Sequence, residues 1–479
     1  MVYRGEPSKD CLPCRKRKLR CDLRPSGCGQ CQRAGLSCFG YRSSQDLIIR
    51  DESQNVRRKV LAATGLPDLG PNTSVYIALD VRARHAFFAF YVFGFSRSYD
   101  VLASLYEQAS PDGHLWASVD AVSLAFLAQQ HGSSKLARLA NQVYVTAIQR
   151  VNQALKDSSL AVTDPVLQSV LLLDLYEKMV TRSPQSIVSW MGHVNGGVAL
   201  VTLRGRRNLK SYISRRLVTR LRTTLIVSCA AASVRVPRAL EELSQELDPK
   251  IPKGDVKWAI NGLVVAVVNF KADVRDGKFP SVMEVIAVAK RLDQAFAARE
   301  EALPLEWRPV RVTIEENNPL VFEGFYHQYQ DHVITQVRNV IRINRLMLND
   351  MIQQRIVIDE DASGVASNAK ISRAIIESTA REICASVPQF VLPGIRLENQ
   401  VPFSPLQALR CCTLLGTLYI AGQLSADWHL RCWVVNTLDH IAATGGIQMA
   451  KRVADTLKTS PDASYWEVYA MLGSYAFTP

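Results

Sequence analysis

The chain has 479 residues, 48% of them hydrophobic, and its formal net charge is +13. It has no apolar run of the roughly 20 residues that a helix needs to span a bilayer, so we expect no membrane-spanning segment. The first residues also lack the apolar stretch of a secretory signal, which argues against an oxidising compartment. The charge is uneven, because residues 1–42 hold ten Lys and Arg against three Asp and Glu, a net +7.

Six of the 11 cysteines lie within the first 38 residues, and their spacing repeats. The pattern is C-x2-C-x6-C, a gap of six residues, and C-x2-C-x6-C again, formed by Cys11, Cys14, Cys21, Cys28, Cys31 and Cys38. Disulfides and metal thiolates are the two interpretations of such a cluster. A C-x2-C pair in a chain without a secretory signal is more often half of a zinc site than a disulfide.

The number of sulfurs limits the number of ions. Structural zinc takes four ligands in a tetrahedron, so six cysteines could fill one site and leave two unused. They could instead hold two zinc ions if two sulfurs bridge. Bridging residues should be equivalent in the two repeats, which favours Cys11 and Cys28. We therefore predict one ion held by Cys11, Cys14, Cys21 and Cys28, and a second held by Cys28, Cys31, Cys38 and Cys11.

This segment holds too few apolar residues to fold alone. Besides the cysteines they are Leu12, Leu19, Leu23, Ala34 and Leu36. That is too small a core for an independent domain. Zinc binding contributes about 10–16 kcal/mol in small modules, and here it would supply the folding free energy. We expect a chelator to unfold residues 1–40.

The residues between the second and third cysteines are almost all basic. They read Arg15-Lys16-Arg17-Lys18-Leu19-Arg20. Solubility and neutralisation of the thiolates would account for a few of these cations, but five of six indicate a polyanion surface. A helix from about Leu12 to Leu19, with Pro13 in its first turn, would be rigid enough to enter a major groove. The same run is typical of a nuclear import signal.

The segment Cys11-Leu-Pro-Cys14-Arg-Lys-Arg-Lys-Leu-Arg-Cys21-Asp22, with Cys28, Cys31 and Cys38, resembles the fungal Zn₂Cys₆ binuclear-cluster DNA-binding domain. The resemblance implies two zinc ions bridged by the first and fourth cysteines. It also implies that Lys18 reads a CGG-type triplet in the major groove. Arg17 would flank that contact, and Arg15, Lys16 and Arg20 would contact phosphates. Pro25 lies three residues before the fourth cysteine, whereas members of the family often have Pro two residues before it.

Beyond the cysteines we predict three parts, a DNA-binding module over residues 1–42, a flexible linker over 43–75 and a regulatory domain over 76–479. Leu66–Ser74 is rich in Pro, Gly and Asn and marks the boundary. Residues 46–63 could form a short helix, but they show no sustained heptad. Monomer, homodimer and heterodimer therefore stay open.

The remaining 400 residues are overwhelmingly helical in pattern, so the fold class is all-α. Helical runs are predicted over 78–108, 116–131, 134–156, 166–176, 214–233, 319–356, 372–386, 404–422 and 427–456. Strand alternation is limited to short pieces such as Val310–Ile314. Asn318-Pro319 is interpreted as the start of the 319–356 helix.

Stretches of this region resemble the regulatory region of fungal transcription factors. They are Ser189–Gly205, the residues Tyr329, Asp331, His332, Asn339, Arg342 and Arg345, and Leu415–Gly422. Six aromatic residues between Phe87 and Phe95 are interpreted as helix core. Eight basic residues and no acid lie between Arg204 and Arg222, and a solvated helix face is favoured there over a second polyanion surface.

Together these patterns predict a zinc-dependent, sequence-specific transcription regulator of RNA polymerase II genes in the nucleus. Its partners would be double-stranded DNA and the transcription machinery. The main alternative is an interaction protein whose basic module binds nucleic acid non-specifically. An enzyme with a DNA anchor is a third, but the chain has no phosphate-binding glycine loop, H-E-x-x-H or G-x-S-x-G motif. We therefore predict that it is not an enzyme. Target genes, activation or repression and a small-molecule effector are not indicated.

Overall fold

The computed structural model describes residues 8–41, 78–180, 186–205, 209–358, 365–460 and 463–472. The chain divides into two compact units, residues 1–76 and residues 77–479. The predicted linker, including the short helix expected over 46–63, lies outside the described residues. The predicted domain boundaries therefore stay a prediction.

The first unit is built around cysteines. Its two short helices are α1 (Leu12–Lys16) and α2 (Gly29–Arg33), each beginning directly after a cysteine. The five buried cysteines form its core, and Cys38 and Tyr41 pack against them. Helix α1 is shorter than the predicted Leu12–Leu19, because the backbone turns into the left-handed region at Lys18.

The second unit is helical apart from one hairpin in its described part. Its first helices are α3 (Leu79–Ala86), α4 (Leu102–Glu107), α5 (His114–His131), α6 (Ser134–Lys156), α7 (Ser158–Ala161), α8 (Asp164–Val180), α9 (Ser186–Arg204), α10 (Tyr212–Ala231), α11 (Arg238–Leu247), α12 (Val256–Arg275) and α13 (Val282–Glu301). After the hairpin come α14 (His332–Ile358), α15 (Val365–Ala385), α16 (Pro388–Val391), α17 (Pro405–Cys412), α18 (Leu415–Leu424), α19 (Trp428–Gly445), α20 (Gln448–Thr459) and α21 (Tyr465–Leu472). The all-α fold class is thus confirmed.

The hairpin and the short turns complete the described elements. Strand β1 (Val310–Thr313) pairs antiparallel with β2 (Phe325–Gln328), in a register that places Val310 opposite Gln328 and Thr313 opposite Phe325. A π-helix, Phe87–Phe93, continues α3, and 3₁₀ turns lie at Arg97–Tyr99, Asp248–Lys250, Leu305–Trp307 and Phe322–Gly324. The strand predicted at Val310–Ile314 is confirmed, and its partner β2 was not predicted.

Side-chain caps begin many of the helices. The hydroxyl of Ser133 accepts from the backbone N–H of Leu136 at 3.3 Å, and the carboxylate of Asp255 accepts from Trp258 at 2.8 Å. Such caps satisfy N–H groups that a helix leaves unpaired at its N-terminus. Residues 134–156, predicted as a helix from their apolar stripe, form α6 with exactly those bounds.

Three apolar clusters hold the second unit together. The largest gathers buried side chains from α3 to α11, together with Val268 of α12 and Leu409 of α17. A second is formed by α12, α13 and α14, and a third by α14 to α21. Helix α14 contributes Ile341 to the second cluster and Leu346 to the third, so its two faces join them. Most of the aromatic run belongs to the first cluster, where Phe87, Tyr91 and Phe95 are buried, as predicted for a core, whereas Phe93 is 68% exposed.

Residues that carried the weaker resemblance form a buried polar network on α14. The guanidinium of Arg342, only 2% exposed, donates to the hydroxyl of Tyr329 at 3.2 Å and to the carboxylate of Glu382 at 2.9 Å. Arg345 pairs with Asp293 at 3.0 Å. These contacts join α14 to α13 and α15. Within the described residues, none of the helices has the length and apolar character needed to cross a membrane.

Candidate metal centre and nucleic-acid interface

The fold of the first unit brings all six predicted sulfurs together. The Sγ atoms of Cys11, Cys14, Cys21 and Cys28 all lie within 4.8 Å of one another. Those of Cys11, Cys31 and Cys38 form a second group by the same measure. Cys11 belongs to both groups, as a bridging sulfur would. Cys28 meets this limit only in the first group, so its bridging role stays a prediction.

The sulfurs lie within hydrogen-bonding distance of one another, in pairs drawn from the two repeats. The Sγ atoms of Cys14 and Cys28 are 3.4 Å apart, and those of Cys11 and Cys31 are 3.6 Å apart. Burial, followed by hydrogen bonding to Cys11 and its charge, raises the pKa of the Cys31 thiol to about 12. Burial acts in the same direction on Cys11, but hydrogen bonds from Cys14 and the neighbouring thiols outweigh it and lower that pKa to about 6. A metal ion deprotonates its thiol ligands outright, so a divalent cation fits this donor set.

Each repeat positions its first two cysteines in the same way. The cysteine that opens the repeat precedes a five-residue helix, and the second cysteine lies within that helix. Both helices end in a Schellman motif, in which Leu19 N–H donates to Cys14 O at 3.0 Å and Leu36 N–H donates to Cys31 O at 2.9 Å. The residue in the left-handed region is Lys18 in the first repeat and Gly35 in the second. The chain then returns to the cluster with its third cysteine.

Asp22 links the two repeats. Both of its carboxylate oxygens accept from the N–H of Gly29, at 3.1 Å each, at the start of α2. Desolvation acts to raise the pKa of Asp22, but the hydrogen bonds from Gly29 and Cys28 and the charge of Arg24 outweigh it and lower the pKa. A side chain at position 29 would clash, since its Cβ would lie 2.6 Å from Asp22 Oδ2. The sequence showed an Asp after the third cysteine but not this contact.

The loop between the repeats is a β-turn. Gly27 N–H donates to Arg24 O at 3.1 Å, which places Pro25 at the second position, where its fixed φ is favoured. Gly27 follows with φ +117°, a conformation that glycine tolerates. The Tyr41 hydroxyl donates to the same carbonyl of Arg24. The displaced proline is therefore accommodated by Ser26 and Gly27 without disturbing the position of Cys28.

The basic residues lie along α1 and just beyond it. Lys16, Arg17, Lys18 and Arg20 are exposed, whereas Arg15 is half-buried. The Nε atom of Arg15 is buried and has no hydrogen-bond partner in the described part of the protein. The structure thus brings all five predicted DNA-contacting residues onto one short segment held by Cys11, Cys14 and Cys21.

Comparison with known families finds one matching segment in each unit. Residues 9–47 match the family described as fungal Zn(2)-Cys(6) binuclear cluster domain, and residues 90–260 match fungal specific transcription factor domain. The second match includes the Ser189–Gly205 stretch, whereas Tyr329–Arg345 and Leu415–Gly422 lie beyond it. No curated protein and no solved structure matches the chain significantly. Both matched families are transcription factor domains rather than enzymes. The chain therefore contains a fungal Zn(2)-Cys(6) binuclear cluster domain, which binds two zinc ions, and a fungal specific transcription factor domain, and these two domains support a DNA-binding transcription regulator.

Proposed function

We propose that the first unit reads a CGG-type triplet in the major groove through Lys18 and so directs the protein to RNA polymerase II genes in the nucleus. The observation that carries this proposal is the position of Lys18. It is exposed and lies two residues after α1, a helix that Cys11 precedes and that contains Cys14, and Cys21 follows three residues later. A Lys ammonium can donate to O6 and N7 of guanine there.

The four arginines and lysines around Lys18 supply the sequence-independent part of binding. Lys16, Arg17 and Arg20 are exposed and free to reach phosphates. The half-buried Arg15 has an unpaired Nε that a phosphate oxygen could satisfy. Phosphate contacts fix the orientation of the protein on the duplex without reading the sequence. Together with the import-signal character of this run, they support a nuclear protein that binds DNA.

The six cysteines are proposed as the zinc ligands, with Cys11 and Cys28 bridging. Bound zinc would hold α1 and α2 against each other and supply no reaction step. The chain's own contribution is the pair of Schellman motifs and the Asp22–Gly29 link, which direct the sulfurs inward and the basic residues outward. Rigid presentation of Lys18 limits the entropy lost on binding, which favours specific recognition.

The proposal is tested by comparing single variants on two DNA duplexes, one with a CGG triplet and one scrambled. Lys18→Ala should lose about 1–3 kcal/mol of preference for the triplet, roughly 5- to 150-fold in the ratio of the two affinities. Arg15→Ala should weaken binding to both duplexes about equally. The matched control is Arg33→Ala, which removes an exposed cation from α2 of the second repeat and should leave the ratio unchanged.

If Lys18→Ala leaves the ratio of specific to scrambled affinity unchanged, Lys18 does not read the triplet. A wild-type protein with a steep salt dependence and no preference among sequences would instead favour the non-specific interaction protein. In-vitro selection of DNA sites by the full-length protein also indicates its oligomeric state. One triplet in the selected sites indicates a monomer, and two at a fixed spacing indicate a dimer.

A further inference from the structure

A cavity of about 470 Å³ lies in the second unit between α10, α12 and α14. The 3₁₀ turn at Arg97–Tyr99 and the turn at Lys250–Pro252 complete its wall. Its volume falls in the range of about 300–1,000 Å³ that small-molecule sites occupy. The position and size of the cavity do not indicate which class of ligand it binds. The charge of its lining residues does.

The described lining carries six cations and a single carboxylate. The cations are Arg97, Arg215, Arg216, Arg220, Lys250 and Lys257. The carboxylate is that of Asp255, and it already accepts from the backbone N–H of Trp258 at 2.8 Å as the cap of α12. A concave site lined by one sign of charge raises the local concentration of ligands with the opposite sign.

Only some of these cations are neutralised by neighbouring carboxylates. Arg97 pairs with Asp331, and Arg216 pairs with Asp100 at 2.9 Å. Among the described residues, Arg215 and Arg220 have no carboxylate partner. Arg215 Nη1 donates to the carbonyl of Lys210 at 2.5 Å. The guanidinium of Arg220 lies over the ring of Tyr99, 3.6 Å from its centroid.

Lys257 is the least compensated of the six. It is half-buried in the first turn of α12, and its ammonium makes no hydrogen bond or ion pair within the described part of the chain. Burial, followed by repulsion from Arg216 and Arg97, lowers its pKa. Attraction by Asp255 and Asp331 acts to raise this pKa but does not outweigh those effects. A half-buried cation that lines a cavity together with two guanidinium groups is stabilised further by a bound anion.

A neutral side chain gives independent support for a ligand. Gln336 of α14 lines the same cavity and is only 9% exposed. Neither its amide nitrogen nor its amide oxygen has a hydrogen-bond partner among the described residues. Leaving a buried polar group unpaired is unfavourable, so a turn of the Gln336 side chain that pairs its amide with a ligand is favoured.

The rest of the lining combines an apolar part with polar side chains, which are those of Ser98, Tyr212, Thr219, Thr223, Thr224 and Asn261. The apolar part describes the body of the ligand. It is formed by Ile251, Pro252, Trp258, Ile260, Val337 and Val340. An inorganic anion would leave this surface without a partner. We propose that the cavity binds a small organic anion, whose carboxylate or phosphate is held by Lys257, Arg215 and Arg220 and whose apolar body packs against these side chains.

The test uses the full-length protein and one pair of probes that differ in charge, with inorganic phosphate as a third probe. Indole-3-acetate and its neutral amide, together with inorganic phosphate, are titrated by calorimetry, and the thermal midpoint is followed in parallel. The acid should bind about 10- to 100-fold more tightly than the amide, since a hydrogen bond to a charged group contributes about 1.5–3 kcal/mol. Phosphate alone should bind more weakly than the acid.

Variants assign the effect to this cavity. Lys257→Met should remove most of the difference between acid and amide, and Gln336→Leu should weaken both. Lys253→Met changes an exposed lysine close by that does not line the cavity and should leave both affinities unchanged. The proposal is overturned if no probe binds, if acid and amide bind equally, if phosphate binds as tightly as the acid, or if Lys257→Met and Lys253→Met behave alike.

Discussion

Lys18 occupies a backbone conformation that glycine occupies at the equivalent position of the second repeat. Its φ is 52°, and that of Gly35 is 64°. A side chain in this region costs about 1–2 kcal/mol, because Cβ approaches the following carbonyl. Both helices need this geometry to close their Schellman motifs, and the first keeps a lysine where glycine would be less strained. Such strain is typical of a residue retained for binding.

Two substitutions of Lys18 distinguish the effect of the backbone strain from the effect of the DNA contact. Lys18→Gly and Lys18→Ala both remove the ammonium, so both should lose the triplet preference. Lys18→Gly relieves the backbone strain and should hold zinc about 1 kcal/mol more tightly than Lys18→Ala, roughly fivefold. The measurement is transfer of zinc from the full-length protein to a competing chelator.

Gly35→Ala is the matched control for this pair. Its Cβ would meet no heavy atom within 4 Å, so only the backbone conformation is penalised. It should weaken zinc retention by about the same 1 kcal/mol and leave the triplet preference intact. Equal zinc retention by Lys18→Gly and Lys18→Ala would show that position 18 is not strained.

At the scale of elements, the basic stretch from Arg204 to Arg222 begins with an arginine that has a structural role. Arg204 is 8% exposed at the end of α9, where it donates to the carbonyl of Thr163 at 3.0 Å and pairs with Asp164. The hydroxyl of Ser214 donates to the same carboxylate at 2.7 Å. This junction ties the start of α8 to α9 and α10. The predicted solvated helix face is wrong for Arg204 and Arg222, which are buried, whereas Lys210 is exposed. Arg206 and Arg207 lie outside the described residues.

Arg204→Met tests how much this junction contributes to the free energy of unfolding. It leaves the carboxylate of Asp164 without its guanidinium partner in a site that is largely buried, and should lower the free energy of unfolding by about 3 kcal/mol. Chemical denaturation of the full-length protein measures the change. Arg238→Met breaks the exposed pair between Arg238 and Glu242 on α11 and should cost less than about 0.5 kcal/mol. Equal costs for the two variants would contradict a buried junction.

Two places where the structure differs from the predicted elements have a physical explanation. Asn318-Pro319 does not begin a helix, because the Asn318 side chain accepts from Leu320 N–H at 2.9 Å and closes a local turn. The chain then enters strand β2, and α14 begins only at His332. Helix α12 was missed in a stretch rich in Val, which is equally typical of strands. Tertiary packing decides whether such a segment forms a helix or a strand, and local propensity does not show that packing.

At the scale of the whole molecule, the two sites differ in how far the sequence reveals them. The cysteines lie within 28 residues, so spacing and ligand chemistry together indicate the cluster. The cationic cavity is assembled from Arg97, α10, Lys250 and α12, which are far apart in the chain. Its residues become neighbours only through the apolar clusters of the second unit. A site built from long-range contacts leaves no spacing pattern to detect.

The two units are also stabilised by different interactions, so removing zinc should unfold one unit and leave the other folded. The first unit has a core of cysteines and only short helices, so it has little apolar burial to replace the metal. The second has three apolar clusters that contain none of the predicted zinc ligands. Chelation should therefore unfold residues 1–40 and leave the long helices folded.

Limited trypsin digestion measures this, because eight Lys and Arg lie within residues 8–41. With zinc bound, Arg15 and its neighbours should be cleaved slowly. After chelation they should be cleaved rapidly, while the far-ultraviolet circular dichroism of the full chain keeps most of its helical signal. Addition of zinc should restore protection, which distinguishes metal loss from damage. Unchanged cleavage within residues 8–41 would mean that the first unit folds without metal. Loss of most helicity would mean that the second unit needs it.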